Sequence, residues 1–199
     1  NKILEVKKKK EFSKLPDPVI VRAIELAKGN IKEARSILRK YFGVFLTNRV
    51  VRGKTKDVLK SHMSSKKRDY DSIYSKIAKL VGKVSSIIDL GSGLNPISYY
   101  YMNLKELDYH TYDIDEEDIK FLNQYFKIMK SQGLNGKAAI LDLRDLKEIS
   151  QIPTTDIIFM FKLVDVLDKT EKNHKTSEEL IKQIIPKTKF IIASFATKT

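Results

Sequence analysis

Two glycines and two carboxylates stand at spacings suited to holding a nucleoside. The stretch Ile87-Ile88-Asp89-Leu90-Gly91-Ser92-Gly93-Leu94-Asn95-Pro96 joins a short apolar run to a glycine turn and a helix start. Gly91 and Gly93 tolerate backbone angles that a Cβ disfavours, and they let a ligand lie against bare main chain. Pro96 suits the first turn of a helix, whose exposed N–H groups favour an anionic or carboxylate group. Asp113 follows Gly93 by twenty positions. A carboxylate there can accept from both hydroxyls of a ribose, as the acidic residue of nucleotide folds does. Asp142 ends a further apolar segment, where its carboxylate can accept from an adenine amino group. In the competing reading the glycines form an inert turn, and Asp113 and Asp142 merely cap the next helices.

The loop also discriminates between cofactors. A dinucleotide fingerprint wants a third glycine where this chain has Pro96. That departure argues against a pyrophosphate pressed onto the helix end, and so against a nicotinamide oxidoreductase. It suits S-adenosylmethionine, which carries no phosphate and presents an amino-acid end and an adenosine.

These residues need strand ends to position them. Ile87 to Leu90 has the length and β-branched content of a strand covered on both faces. Further strands are expected over 108–114, 138–143, 156–161 and 189–195, alternating with helices, which makes an α/β, doubly wound, mainly parallel sheet. Lys162 then falls on the carboxyl rim, where ligands bind. Asp115 caps the helix after the second strand. Before the sheet, Asp17-Pro18 opens one helix and Asn30, with Glu33 three residues on, opens another that Gly43 should end. Ser64 or Ser65 is expected to cap a long helix with Tyr70, Ile73, Tyr74, Ile77 and Leu80 on its apolar face. Arg68 would sit in its first turn, against the helix dipole, and a local rule broken in this way often marks function.

Charge divides the chain in two. The formal net charge is +13, yet residues 82–199 hold 16 basic and 17 acidic side chains while residues 1–81 hold 22 and 8. The excess therefore lies wholly before the glycine turn, which reads as an appended nucleic-acid-binding module with Arg35, Arg39 and Lys40 free to meet phosphates. A lysine-rich solvated surface is the plainer alternative. The chain has no cysteine, which excludes disulfides and thiolate zinc sites and suits a reducing compartment. His62, His110 and His174 are scattered, so no metal is expected. No apolar run approaches membrane-spanning length and no signal peptide is visible, which points to the cytoplasm.

Taken together, the motifs resemble those of the Arm/Rmt-type 16S rRNA guanine-N7 methyltransferases, a family that includes aminoglycoside-resistance enzymes. Ser85 to Pro96 resembles its motif I, Gly/Ala-Cys-Gly-x-Asn-Pro, with Ser92 in place of the cysteine. Tyr109 to Asp115 is similar to its acidic second-strand end. His62-Met63-Ser64-Ser65-Lys66-Lys67-Arg68 is similar to its His-Ala/Ser-Ser-Thr-x-Glu-Arg signature, with Lys67 for the glutamate. Phe161-Lys162-Leu163 and Ser194-Phe195-Ala196-Thr197-Lys198 resemble two later segments, with Asp165 and Ala196 each in place of a proline. The resemblance implies a Rossmann-like methyltransferase domain over 82–199 behind a basic helical rRNA-binding domain over 1–81, with a C-terminal antiparallel hairpin beyond. By the same resemblance Arg68 binds the cofactor carboxylate, Gly91, Gly93 and Asn95 shape the pocket, Asp113 holds the ribose, Asp142 and Leu143 the adenine, and Ile114 is a further cofactor-binding residue. Lys162 and Lys198 face the target guanine or its phosphate, and a monomer acts on the small ribosomal subunit. Guanine N7 carries an accessible lone pair and needs no general base, so positioning and desolvation can carry such a transfer. A methyltransferase of another RNA such as tRNA, or a non-catalytic RNA-binding protein with the same fold, are the alternatives.

Overall fold

The apolar runs of the second half become strands because both faces of each central one find a covering layer. The computed structural model describes residues 1–13, 15, 17–46, 68–169 and 174–195. Five strands, β1 (Ser86–Leu90), β2 (Leu107–Asp113), β3 (Leu134–Ile140), β4 (Thr155–Phe161) and β5 (Thr188–Ser194), form one sheet in the order β3-β2-β1-β4-β5, with every pairing parallel. Alternate residues of β1 face opposite ways. Ile87 joins a cluster with Tyr74, Ile77, Leu122, Phe126 and Phe159, while Ile88 and Leu90 join Ile158, Met160, Leu180 and Ile184 on the other side. The expected doubly wound α/β sheet is what the chain forms.

Four strands begin one residue earlier than the apolar pattern suggests. The fifth is a correction. β3 spans Leu134–Ile140 rather than 138–143, so Asp142 lies two residues past its end. Gly136 sits inside the strand, where the Phe126 ring takes the space of a side chain. A Cβ there would stand 2.0 Å from Phe126 Cδ1.

Helices α1 (Lys2–Lys7), α2 (Asp17–Leu26) and α3 (Ile31–Leu46) precede the sheet. They bury Val6, Ile20, Ala34 and Leu38 against one another and against Phe12 of the 3-10 turn Lys10–Phe12, and Ile114, just past β2, joins that cluster. These helices thereby pack against the chain just beyond the carboxyl end of β2. Asn30 Oδ1 accepts from the Glu33 N–H at 3.1 Å, as its capping position demands. Gly43 does not end α3, which continues to Leu46; a glycine costs a helix interior only about 1 kcal/mol, and no proline follows to stop it.

Helix α4 (Tyr70–Val81) packs on the sheet through Tyr70, Tyr74 and Ile77. Its cap is Asp69, whose Oδ1 accepts from the Ser72 N–H at 3.2 Å. Arg68 therefore precedes the helix instead of opposing its dipole, and Ser64 and Ser65 lie outside the described residues. Leu80, expected on the apolar face, is 77% exposed. Helix α5 (Glu116–Met129) starts on Asp115 as expected, Oδ1 accepting from the N–H groups of Glu117 and Asp118. After the glycine turn, Asn95–Tyr101 is a 3-10 helix. Short helices α6 (Leu146–Ile149) and α7 (Val164–Leu167) and the longer α8 (Lys175–Ile184) complete the second layer.

Candidate cofactor-binding site

The strand order reverses at β1, from which the chain steps to β2 and β3 on one side and to β4 and β5 on the other. Beyond the carboxyl ends of strands at such a reversal a crevice opens, and ligands of open α/β sheets bind there. Gly91 leaves β1 at φ +63°. A Cβ on it would lie 2.8 Å from Leu163 Cδ1, so no other residue fits the turn without moving that side chain.

Asp113, at the end of β2, ties the turn to the neighbouring strand. Its Oδ2 accepts from the Gly93 N–H at 2.7 Å, and its Oδ1 from the N–H groups of Ile114 at 2.7 Å and Asp115 at 3.2 Å. Burial pushes its pKa up, while these backbone donors hold it down. A carboxylate offers about four acceptor positions, which leaves capacity for a ligand hydroxyl beside the backbone donors.

A cleft of about 450 Å3 opens beside it, lined by Gly91, Asp113, Ile114, Asp142 and Leu143, with Leu141, Arg144, Leu163, Val166 and Leu167. The lining is aliphatic with a carboxylate at hand, the composition of a small-molecule site. Five residues singled out from the sequence therefore meet in one cavity. Asp142 is not a lone acceptor: its Oδ1 and Oδ2 accept from Arg144 Nε and Nη2, each at 3.0 Å, and both side chains are about one-tenth exposed.

Arg68 and Asn95 form a second group, outside that lining. Arg68 Nη1 donates to Asn95 Oδ1 at 2.9 Å, and its guanidinium lies 4.9 Å over the Phe161 ring. Asn95 Nδ2 donates in turn to Asp89 Oδ2 at 2.8 Å, which also accepts from the Tyr109 hydroxyl at 2.8 Å. Asp89 is 1% exposed, and burial raises its pKa to about 6. Lys162 follows Phe161 at φ +58°, its N–H donating to the Ser194 carbonyl on β5 at 2.8 Å. It stands on the sheet rim as expected, but it does not line the cleft. Lys198 lies outside the described residues.

The family model for ribosomal RNA methyltransferase (FmrO) matches residues 32–199. The chain belongs to that family. A 16S rRNA (guanine(1405)-N(7))-methyltransferase of Proteus mirabilis is 28% identical over 122 residues, 58% of this chain and 41% of that protein. The chain thus matches less than half the length of that curated relative. The solved 16S rRNA methylase ArmA is 27% identical, with a TM-score of 0.55 over 82% of this chain and 76% of its own. RmtF, a 16S rRNA methyltransferase solved with S-adenosyl-L-homocysteine, has a TM-score of 0.76 at 20% identity, over 100% of this chain and 80% of its own; at that identity the likeness speaks for the fold alone.

Two features of this FmrO-family chain escaped the reading of its sequence. Asp89 lies within the glycine motif, but its partner Tyr109 comes twenty residues later on the next strand, and nothing in the spacing marks the pair. Arg144 stands only two positions after Asp142, so the nearness of the pair is legible in the sequence itself. The N-terminal arginines are a correction. Arg39 donates through Nε and Nη2 to Glu11 Oε1 at 2.9 and 2.6 Å and lies 5.3 Å over Phe12. Arg35 Nη2 donates to the Glu5 carbonyl. Both arginines are occupied within the helical module rather than free to meet phosphates. The side chain of Lys40 lies outside the description, while Lys8, Lys9, Lys10 and Lys32 are exposed. Among the described residues, no helix is long and apolar enough to cross a membrane, and no three His or acidic side chains are grouped to hold a metal.

Proposed function

We propose that the chain is an S-adenosylmethionine-dependent methyltransferase acting on guanine N7 of 16S rRNA, in the decoding region of the small ribosomal subunit. The observation that carries this reading is the aliphatic cleft at the strand reversal, bounded by the Gly91 turn and by Asp113. When bound, S-adenosylmethionine supplies an electrophilic methyl group on a sulfonium. Asp113 accepts from a ribose hydroxyl with its remaining acceptor position, next to Ile114, and Leu143 and Leu163 cover the adenine. Asp142 meets the adenine amino group with what acceptor capacity Arg144 leaves. Gly91 and Gly93 keep the main chain bare beneath the ligand, with Asn95 behind them, and Arg68 takes the carboxylate end through its remaining guanidinium donors.

Guanine N7 attacks through its own lone pair, so the protein's work is alignment and exclusion of water. The buried apolar lining does the second. Lys162 and Lys198 face the target base or its phosphate. Residues 1–81 supply the rRNA-binding surface, their exposed lysines meeting phosphates, and 82–199 the methyl-transfer unit. The enzyme works as a monomer, without metal, in the cytoplasm where small subunits are found.

The test is transfer of labelled methyl groups to purified small subunits, followed by mapping of the modified nucleotide. Label at N7 of one guanine of 16S rRNA is expected. Label in tRNA only, or none with cofactor bound, would replace this reading.

A further inference from the structure

Asp89 is a buried acid for which the reaction has no direct use. It sits on β1 beneath the glycine turn, with Oδ2 accepting from Asn95 Nδ2 and Tyr109 Oη, each at 2.8 Å. Its Oδ1 is buried and meets no donor among the described residues. A carboxylate held so is costly to folding, and hydrophobic packing does not require it. What it does is fix an amide. An ionised carboxylate only accepts, so it compels Asn95 to turn its NH2 group inward. The Asn95 carbonyl must then face outward, where it accepts from Arg68 Nη1 at 2.9 Å. Were the amide reversed, it would present donors to a guanidinium that has only donors. The Phe161 ring under Arg68 at 4.9 Å sets the plane in which the guanidinium lies.

We propose that Asp89 is a positioning residue for the cofactor's carboxylate, acting through Asn95 to aim Arg68. The inference rests on the functional reading above, in which Arg68 makes that contact. Asp89 does not touch the cofactor; it selects one of two orientations of an amide that does not choose by itself.

The relay is conditional on charge. The groups facing Asp89 are Asn95, Tyr109 on β2, Tyr74 on α4, Arg68 and Asp113; burial raises its pKa to about 6, with Asn95, Tyr109 and Arg68 pulling it down and Asp113 pushing it up. Below that pH the protonated carboxyl can donate, and the Asn95 amide loses its fixed sense.

The test is calorimetric titration of S-adenosylmethionine into the full chain and its Asp89→Asn, Arg68→Ala and doubly substituted forms. Losing one charge-assisted hydrogen bond in a chain of them should weaken cofactor affinity about tenfold in Asp89→Asn. Arg68→Ala should lose at least as much, and the double variant no more than Arg68→Ala alone, since Asp89 has no other route to the ligand. Independent, additive losses overturn the relay, as does an Asp89→Asn protein that binds like the wild type. Should that variant fail to fold, the wild-type pH profile decides: affinity should fall between pH 7.5 and 5, while a flat profile overturns the relay. Wild-type protein that binds no cofactor at any pH overturns the functional reading and the relay together. Binding by the wild type with an unaltered Asp89→Asn overturns the relay alone.

Discussion

The two halves of the molecule use charge in opposite ways. In the sheet half, with nearly balanced charge, Asp89, Asp113 and the Asp142–Arg144 pair are buried or nearly so, each with named donors at fixed distances. In the helical module, where basic side chains outnumber acidic ones, ion pairs such as Arg39–Glu11 and Lys7–Asp17 lie at the surface. Surface pairs contribute little, about 0–1 kcal/mol, whereas removing one partner of a buried polar group strands the other at a cost of several. Precise binding of a small ligand therefore belongs to the sheet half. On the proposed function the helical module meets an extended anion, where the number of charges matters more than the placement of any one.

The largest effect should come from Asp113→Ala. It removes the proposed ribose acceptor and strands the N–H groups of Gly93, Ile114 and Asp115, so cofactor affinity should fall by roughly 100-fold or more, with a lower Tm. Unchanged affinity by calorimetry would remove Asp113 from the site and erase the contrast between the halves. Next comes Gly91→Ala. At φ +63°, with Leu163 Cδ1 2.8 Å from the new Cβ, it should cost on the order of 1–3 kcal/mol in denaturant unfolding and weaken the cofactor. A variant as stable as the wild type would show that the turn is looser than it looks.

A pH effect of intermediate size sharpens the comparison, because it arises in the sheet half. Burial raises Asp89 to about 6 and, with Asp115 and Asp113 adding, Asp118 to about 8, both from an ordinary 3.8. Groups raised in the folded state favour folding fully below the unfolded pKa, and that contribution is lost as pH climbs through the folded value. Stability should therefore decline between pH 4 and 8, with Asp89 accounting for on the order of 3 kcal/mol. Asp156, held low chiefly by Lys189 and the Ser85 N–H, acts in the reverse sense and loses its contribution in acid. Asp118→Asn should flatten the alkaline part of the curve. A Tm of wild type and variant that moves in parallel from pH 6 to 9 would refute the assignment.

In the helical module, replacing Lys8, Lys9 and Lys10 together by alanine should lower the salt slope of RNA binding by about 2 to 3 and leave cofactor affinity untouched. An unaltered slope would show that these lysines do not meet phosphates. The smallest effect is expected of Arg39→Ala, within about 1 kcal/mol of stability. A much larger loss would mean that the module depends on its surface charges as the sheet half does on its buried ones.

How far the sequence could be read follows the same division. The glycine turn, Asp113 twenty residues on and the parallel sheet were legible, because apolar runs and turn residues recur at the period of an α/β fold. Strand β3 starts before the expected 138 because Gly136 is accommodated by Phe126, a ring on another element, and not by its neighbours in the chain. Ser64 and Ser65 look like caps and would place Arg68 inside the helix, whereas Asp69 does the capping. Arg35 and Arg39 appeared free because polar partners on α1 and the 3-10 turn at Lys10–Phe12 leave no periodic trace. The Asp89–Tyr109 contact, made between adjacent strands, is invisible until the register of β1 against β2 is known.

Transfer of radiolabelled methyl groups from S-adenosylmethionine to small ribosomal subunits, by wild-type protein and by Asp113→Ala side by side, tests the central claim most directly. The wild type should label one guanine of 16S rRNA at N7, with the variant far slower at limiting cofactor. Equal labelling by both proteins, or label at an atom other than N7, would contradict it.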